Sequence, residues 1–229
     1  MPAIMPTAVK FAFAFAVFAV LVALPFTCGK STLHVERDDN LPARVPYVFP
    51  APGTDKVADM IRSRRTNGTL LDLDGVLLND QNLASTWSDL AGMIRDQNAI
   101  PANMRELFIL RTGVLNDAAY VWLQHESVAR SVGFTTAQLR EIRFRPAFAH
   151  QALPSTPLNS SQNAAMLLAD FMTKNVNVPQ PVFDGLKKFL NNQQMVDAVA
   201  TVGVYNLVSR FVEALNVDDK MDVPVPVPQ

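Results

Sequence analysis

The sequence predicts an all-α domain, a compact bundle of about seven to eight helices. Two observations carry this. Apolar residues recur at three- and four-residue spacings between capping and stop signals over most of the chain. No alternating apolar–polar run is long enough to read as a strand. A third observation sets the scale: 229 residues, 49% of them hydrophobic and 18% charged, suffice for one well-buried core.

The chain begins with a leader. Lys10 is the only charge before the unbroken apolar run FAFAFAVFAVLVALPF at 11–26, and the small residues Thr27, Cys28 and Gly29 follow. A basic start, an apolar segment and a small-residue boundary read as a secretory signal peptide over 1–29, which implies a secreted, extracellular product. The run is short for a membrane span, which needs about 20 apolar residues; an uncleaved membrane anchor over 11–26 is the alternative. Two sequons, at Asn67 and Asn159, fit a secreted chain but also arise by chance. The formal net charge is -1, so nothing resembles the basic footprint of a nucleic-acid binder.

Residues 30–53, rich in proline and charge, read as an extended lead-in. The helical domain then spans 54–217. Thr54 is placed to cap a helix over 55–65, ended by Asn67-Gly68. Further helices are expected over 84–97 and, from Pro101, over 101–115. Asn116 is read as the cap of a helix over 117–132, stopped by Gly133. Thr135 and Gln138 have capping-box spacing and open a short helix. After a proline-marked loop over 150–157, helices follow from Ser160 or Ser161 to Lys174, over 181–189, and over 193–215. The tail, 218–229, alternates valine and proline and is expected to be extended and unpacked.

The stretch that carries chemistry is 105–134, where two helices meet at a turn near Asn116. Glu106 lies ten residues before Asn116 and His125 nine after it. At 1.5 Å rise per residue both sit about 14 Å from the turn, level with each other in an antiparallel pair. A carboxylate bonded to one ring nitrogen fixes the tautomer and makes the other nitrogen a better base. The pair is therefore a candidate catalytic centre for proton transfer. Each residue also has a plainer role: His125 as a hydrogen-bonded interior histidine, Glu106 as a first-turn acid favoured by the helix dipole.

This segment resembles the signature helix pair of the carboxymuconolactone decarboxylase and alkyl hydroperoxide reductase D-like family. The likeness rests on Arg105-Glu106-Leu107, Leu110-Arg111, then Tyr120, Trp122 and His125, and spreads over 55–217. It implies an AhpD-like helical fold and a homo-oligomer. Apolar Phe108, Val114 and Phe211 are weak support for the latter, since they lie beyond one helix stripe. In thiol-using members of the family, cysteines precede the histidine by seven and four residues. Here those positions hold Ala118 and Val121; in cysteine-free relatives a glutamate often fills the second. Thiolate is the nucleophile in peroxide reduction, so the peroxiredoxin-type activity linked to the family is not expected.

What the resemblance leaves is lactone-decarboxylase-type chemistry without cofactor or metal: proton transfer beside a carbonyl of a small lactone or related carboxylate, through Glu106 and His125. Arg111 and Arg210 are the candidates for binding a substrate carboxylate, or else interhelix ion-pair residues. Tyr120 and Tyr205 are candidate hydrogen-bond donors to substrate. Trp122, Met166, Phe171 and Met172 read as core, and Glu126 as solvated. The alternative function is a non-catalytic oligomeric ligand-binding or scaffold member of the same fold, which Val121 favours.

One string competes. Residues 71–77, LDLDGVL, match the nucleophile motif of haloacid dehalogenase-like phosphatases, in which paired aspartates work with magnesium. That motif needs a buried strand before it and a parallel sheet around it. Arg64 to Gly68 precede it here and no strand–helix alternation follows, so the string reads as the turn that opens a helix.

Overall fold

The structure, a computed structural model, describes residues 43–65, 67–149 and 156–229. The expected signal peptide and anchor, and most of the 150–157 loop, lie outside those residues. The described chain folds into nine α-helices with no strand among them. In order they are α1 (Lys56–Ser63), α2 (Asp72–Leu77), α3 (Gln81–Asp96), α4 (Ala102–Leu115), α5 (Ala119–Ser131), α6 (Thr136–Phe144), α7 (Ser160–Lys174), α8 (Gln180–Lys187) and α9 (Asn192–Ala214). A 3₁₀ turn at Val217–Asp219 follows.

The ninth helix, beyond the expected seven or eight, is α2. It forms because Asp74 at N3 accepts the Leu71 amide proton, satisfying one of the free donors at a helix start. Helix α3 starts three residues earlier than its apolar pattern implied. The Asp80 carboxylate is the reason, accepting from the amides of Asn82 and Leu83. Thr135 and Gln138 form their capping box as expected. Asn159, not a serine, caps α7, reciprocally with Gln162.

Helix α4 is the axis of the molecule. Leu107 to Leu115 are buried on every side of it, Arg111 and Thr112 among them. It packs against α5, α6, α7 and α9. One apolar cluster, on the α6–α7–α8 side, gathers Leu107, Trp122, Leu139, Met166 and Leu186. A second, on the α2–α3–α9 side, gathers Ile109, Tyr120, Val121, Tyr205 and Val208. Phe108 and Val114 are spent in this interior, and Phe211 stacks on Trp87 at 4.8 Å. They do not form an apolar surface. The exposed apolar side chains of α9 are instead Val196, Val199 and Leu207.

Two further expectations change. Glu126 is not simply solvated: it accepts a hydrogen bond from Trp122 Nε1 at 2.6 Å and pairs with Arg130. The valine–proline tail lacks helix and strand, but it is packed. Val225 is buried in the first cluster. Arginines donate to its backbone oxygens, Arg143 to Val225 O and Arg140 to Pro228 O, and Arg130 donates to Gln229 O. Proline has no amide proton to offer, so such a segment is held through its carbonyls.

Candidate active site

The site begins with the α4–α5 turn. Helix α4 ends at Leu115, and Asp117 takes a left-handed conformation, φ 55°. The Ala118 amide then donates to Gly113 O and the Asp117 amide to Val114 O. This is a Schellman closure, which satisfies the last carbonyls of α4 and reverses the chain within three residues. Asn116 therefore closes α4, donating from its side chain to Thr112 O, and does not open α5. Gly113 lets the two helices touch: a Cβ there would lie 3.0 Å from Val121.

With the turn so fixed, Glu106 and His125 meet. Glu106 Oε2 lies 2.9 Å from His125 Nδ1, and the carboxylate is 2% exposed against 12% for the imidazole. Arg105 Nε approaches the other carboxylate oxygen at 3.3 Å. A carboxylate only accepts, so Nδ1 carries the ring proton and Nε2 presents its lone pair. That lone pair accepts from the Tyr205 hydroxyl of α9, at 3.1 Å. Glu106, His125 and Tyr205 thus form a continuous chain from a buried acid to a buried phenol.

The chain ends in a small cavity of about 50 Å³. Its walls come from four places. Trp87, Ala91 and Arg95, four residues apart, are one face of α3; Val121, Gln124 and His125 come from α5; Val204, Tyr205 and Val208 from α9; Leu71 and Leu73 from the start of α2. A second lobe, lined by Asp96, Arg105, Glu106 and Val128, shares Arg65, Leu71, Arg95, Gln124 and His125 with the first. His125 stands where the lobes join.

The electrostatics follow from burial. Desolvation pushes the Tyr205 phenol well above its usual range; Arg95 is the largest opposing influence, and the Glu106 charge adds to the rise. Tyr120 is raised in the same way, with the Leu73 amide bonded to its oxygen acting against the rise. Both phenols stay protonated across the neutral range and serve as donors.

The other sequence candidates divide. Tyr120 lines the cavity, but its oxygen is engaged by the Leu73 amide at 3.3 Å. Arg111 is not at the cavity. It is wholly buried on the far side of α4, paired with Asp170 at 2.7 Å and donating to the carbonyls of Ile142 and Arg145. Arg210 lies exposed on α9 and bonds Asn206 one turn back. The cavity's cations are Arg65, Arg95 and Arg105, which sequence reasoning passed over. The four-residue spacing of Trp87, Ala91 and Arg95 was the available signal. An arginine in a last helical turn, however, usually just complements the helix dipole.

The phosphatase-like string is the whole of α2 with its N-cap, Leu71. Both oxygens of Asp74 are held by Arg65 at 2.7 Å, and no sheet surrounds it among the described residues. At the positions where thiol-using relatives carry cysteine, Ala118 is fully buried and Val121 is part of the cavity wall. The chain's one cysteine, Cys28, lies outside the described residues.

Residues 81–153 match the model of the carboxymuconolactone decarboxylase family. Among solved structures, the alkylhydroperoxidase AhpD core of a peroxidase-related protein from Ralstonia eutropha JMP134 aligns with a TM-score of 0.65 at 14% identity, over 82% of this chain and 98% of that one. A peroxidase-related protein from Silicibacter sp. TM1040 aligns with a TM-score of 0.60 at 13% identity, over 75% and 91%. The debrominase Bmp8 aligns with a TM-score of 0.61 at 13% identity, over 78% and 98%. No curated protein matches the chain. The family segment at 81–153 contains α4, α5 and the Glu106–His125 pair, and the helices around it follow the AhpD-like fold.

Proposed function

We propose that this protein is a cofactor-free acid–base enzyme that moves a proton at a carbon beside a carbonyl, in the manner of lactone decarboxylation. The observation that carries the reading is the 2.9 Å contact between Glu106 Oε2 and His125 Nδ1 behind a cavity that His125 itself lines. In this reading His125 Nε2 is the base and Glu106 stabilises the imidazolium that forms. A single positioned acid–base group contributes about 10²–10⁴-fold. Tyr205, bonded to Nε2, donates to the carbonyl oxygen as charge develops there, or passes the proton on. Similar folds are found in proteins called peroxidase-related and in a debrominase. Thiol chemistry is not part of the proposal, because Ala118 and Val121 offer no sulfur.

A second reading, a ligand-binding member without turnover, draws support from the hydrocarbon of Val121 in the cavity wall. One experiment separates them. A carboxy-substituted γ-lactone is incubated with the protein in deuterated water, and exchange at the carbon beside the carbonyl, with any release of carbon dioxide, is followed by NMR. The wild type is expected to catalyse exchange. His125→Ala and Glu106→Gln are expected to lower it about 10²–10⁴-fold with unchanged circular dichroism. Absence of exchange in the wild type, or exchange indifferent to both substitutions, overturns the enzyme reading.

A further inference from the structure

The arginines around the cavity differ in how they are occupied. Arg65 gives Nη2 to both oxygens of Asp74, and Arg105 leans on Glu106. Arg64, just outside, is taken by Ser88 and Asp89. Arg95 lines both lobes and, among the described residues, has neither a hydrogen bond nor an ion pair. A guanidinium carries five donors, and leaving them unmatched in a partly enclosed site is costly unless an acceptor arrives from outside.

The cavity around it is mostly apolar, with Arg65, Gln124, His125 and the two tyrosines as its other polar groups. Leu71, Leu73, Trp87, Val121, Val204 and Val208 supply its walls. The residue is not remote from the chemistry either, because its charge is the largest one acting to lower the Tyr205 phenol. Asp96 and Glu106 face only the outer lobe, and Glu106 is already engaged by His125 and Arg105. An apolar chamber with one uncommitted planar cation and a proton-moving ring selects for a particular kind of guest.

We propose that Arg95 is the anion anchor of this site and that its ligand is a small monocarboxylate with an apolar body. The carboxylate sits fork-on-fork against the Arg95 guanidinium, and the apolar body lies on Trp87, Val121 and Val208 towards Tyr205 and His125. A carboxylate so held keeps its charge while a proton is moved at a carbon that His125 reaches. The direction in which the ligand is presented to His125 rests on the acid–base reading above, but the binding itself does not.

The test uses benzoate and its uncharged isostere benzamide, titrated by calorimetry or ligand-observed NMR. Wild-type protein is expected to bind benzoate at least about 10-fold more tightly than benzamide. Arg95→Gln should remove that preference, leaving benzamide binding unchanged. Arg210→Gln removes the same charge from a surface outside the cavity and should change neither. His125→Asn should retain benzoate and lose proton exchange; exchange that persists in this variant with binding intact counts against the acid–base reading alone. Equal binding of the two probes, undetectable benzoate binding at millimolar concentration, or full benzoate affinity in Arg95→Gln each overturns the proposal. Thermal denaturation of each variant checks that the fold is intact.

Discussion

Arg111 and Arg95 show how little a side chain's formula says about its use. Both are arginines on apolar-patterned helices; the sequence offered Arg111 as a carboxylate ligand or an ion-pair residue and passed over Arg95. Arg111 is fully buried, its Nε taken by Asp170 and its Nη1 by two carbonyls from the end of α6. Those partners lie 31 to 59 residues away in sequence, so no local pattern announces them. Glu106 and His125 were legible because their partnership depends on distance from a shared turn, which counting supplies. Tyr205, 80 residues from His125, was legible only as a hydrogen-bond donor, not as the neighbour of that ring. The tyrosines also make a prediction about alkaline pH. Tyr47, Tyr120 and Tyr205, the chain's three, are all raised by burial. Their folded-state values lie above the unfolded value of about 10, so their contribution is complete below that pH and is lost as pH rises past it. Urea midpoints are expected to fall between about pH 9 and about pH 11, and more shallowly in Tyr205→Phe than in the wild type. An identical fall in both would show that Tyr205 is not the group responsible.

At the scale of elements, the periodic helices were readable and the ends were not. The apolar spacing of α4, α5 and α9 survives to within a residue or two of their observed limits. Helix α2 was missed because six residues with two aspartates and a glycine carry no period. Its stability comes from the Arg65–Asp74 pair and from its packing, which are tertiary facts. The α4–α5 turn was placed correctly and its chemistry was not: Asn116 looked like an opening cap and is a closing one. Asp117 bears the cost, since a non-glycine residue is held at φ 55°. A β-branched residue there fits far worse. Asp117→Val is expected to lose about 1–2 kcal/mol, lowering the melting temperature by a few degrees, and to loosen the Glu106–His125 contact. Calorimetry and the imidazole NMR shifts measure both. An unchanged melting temperature would mean that the turn is not under strain.

Across the whole molecule, α4 divides the interior in two. One side, towards α6, α7 and α8, is solidly packed, with apolar side chains around the buried Arg111–Asp170 pair; the other, towards α2, α3 and α9, contains the cavity. The sequence could show that α4 is apolar beyond one stripe, but not which side would be filled. The tail belongs to the solid side, and its composition misled because valine and proline alternate without regard to what receives them. Val225 is 4% exposed, whereas Val223 and Val227 are 38% and 51% exposed. Val225→Ser is therefore expected to destabilise by about 1.5–3 kcal/mol in chemical denaturation. Val227→Ser should stay within about 0.5 kcal/mol. Equal effects would mean that the tail is not docked. The α4–α5 closure has a further consequence, for length. One residue added between Leu115 and Ala119 would break the bonds from the Asp117 and Ala118 amides to Val114 O and Gly113 O that set how α5 returns along α4, and with them the alignment of His125 and Glu106. Descendants of this chain can exchange letters in that turn, but an insertion or deletion there erases the acid–imidazole pair while every residue of it is still encoded.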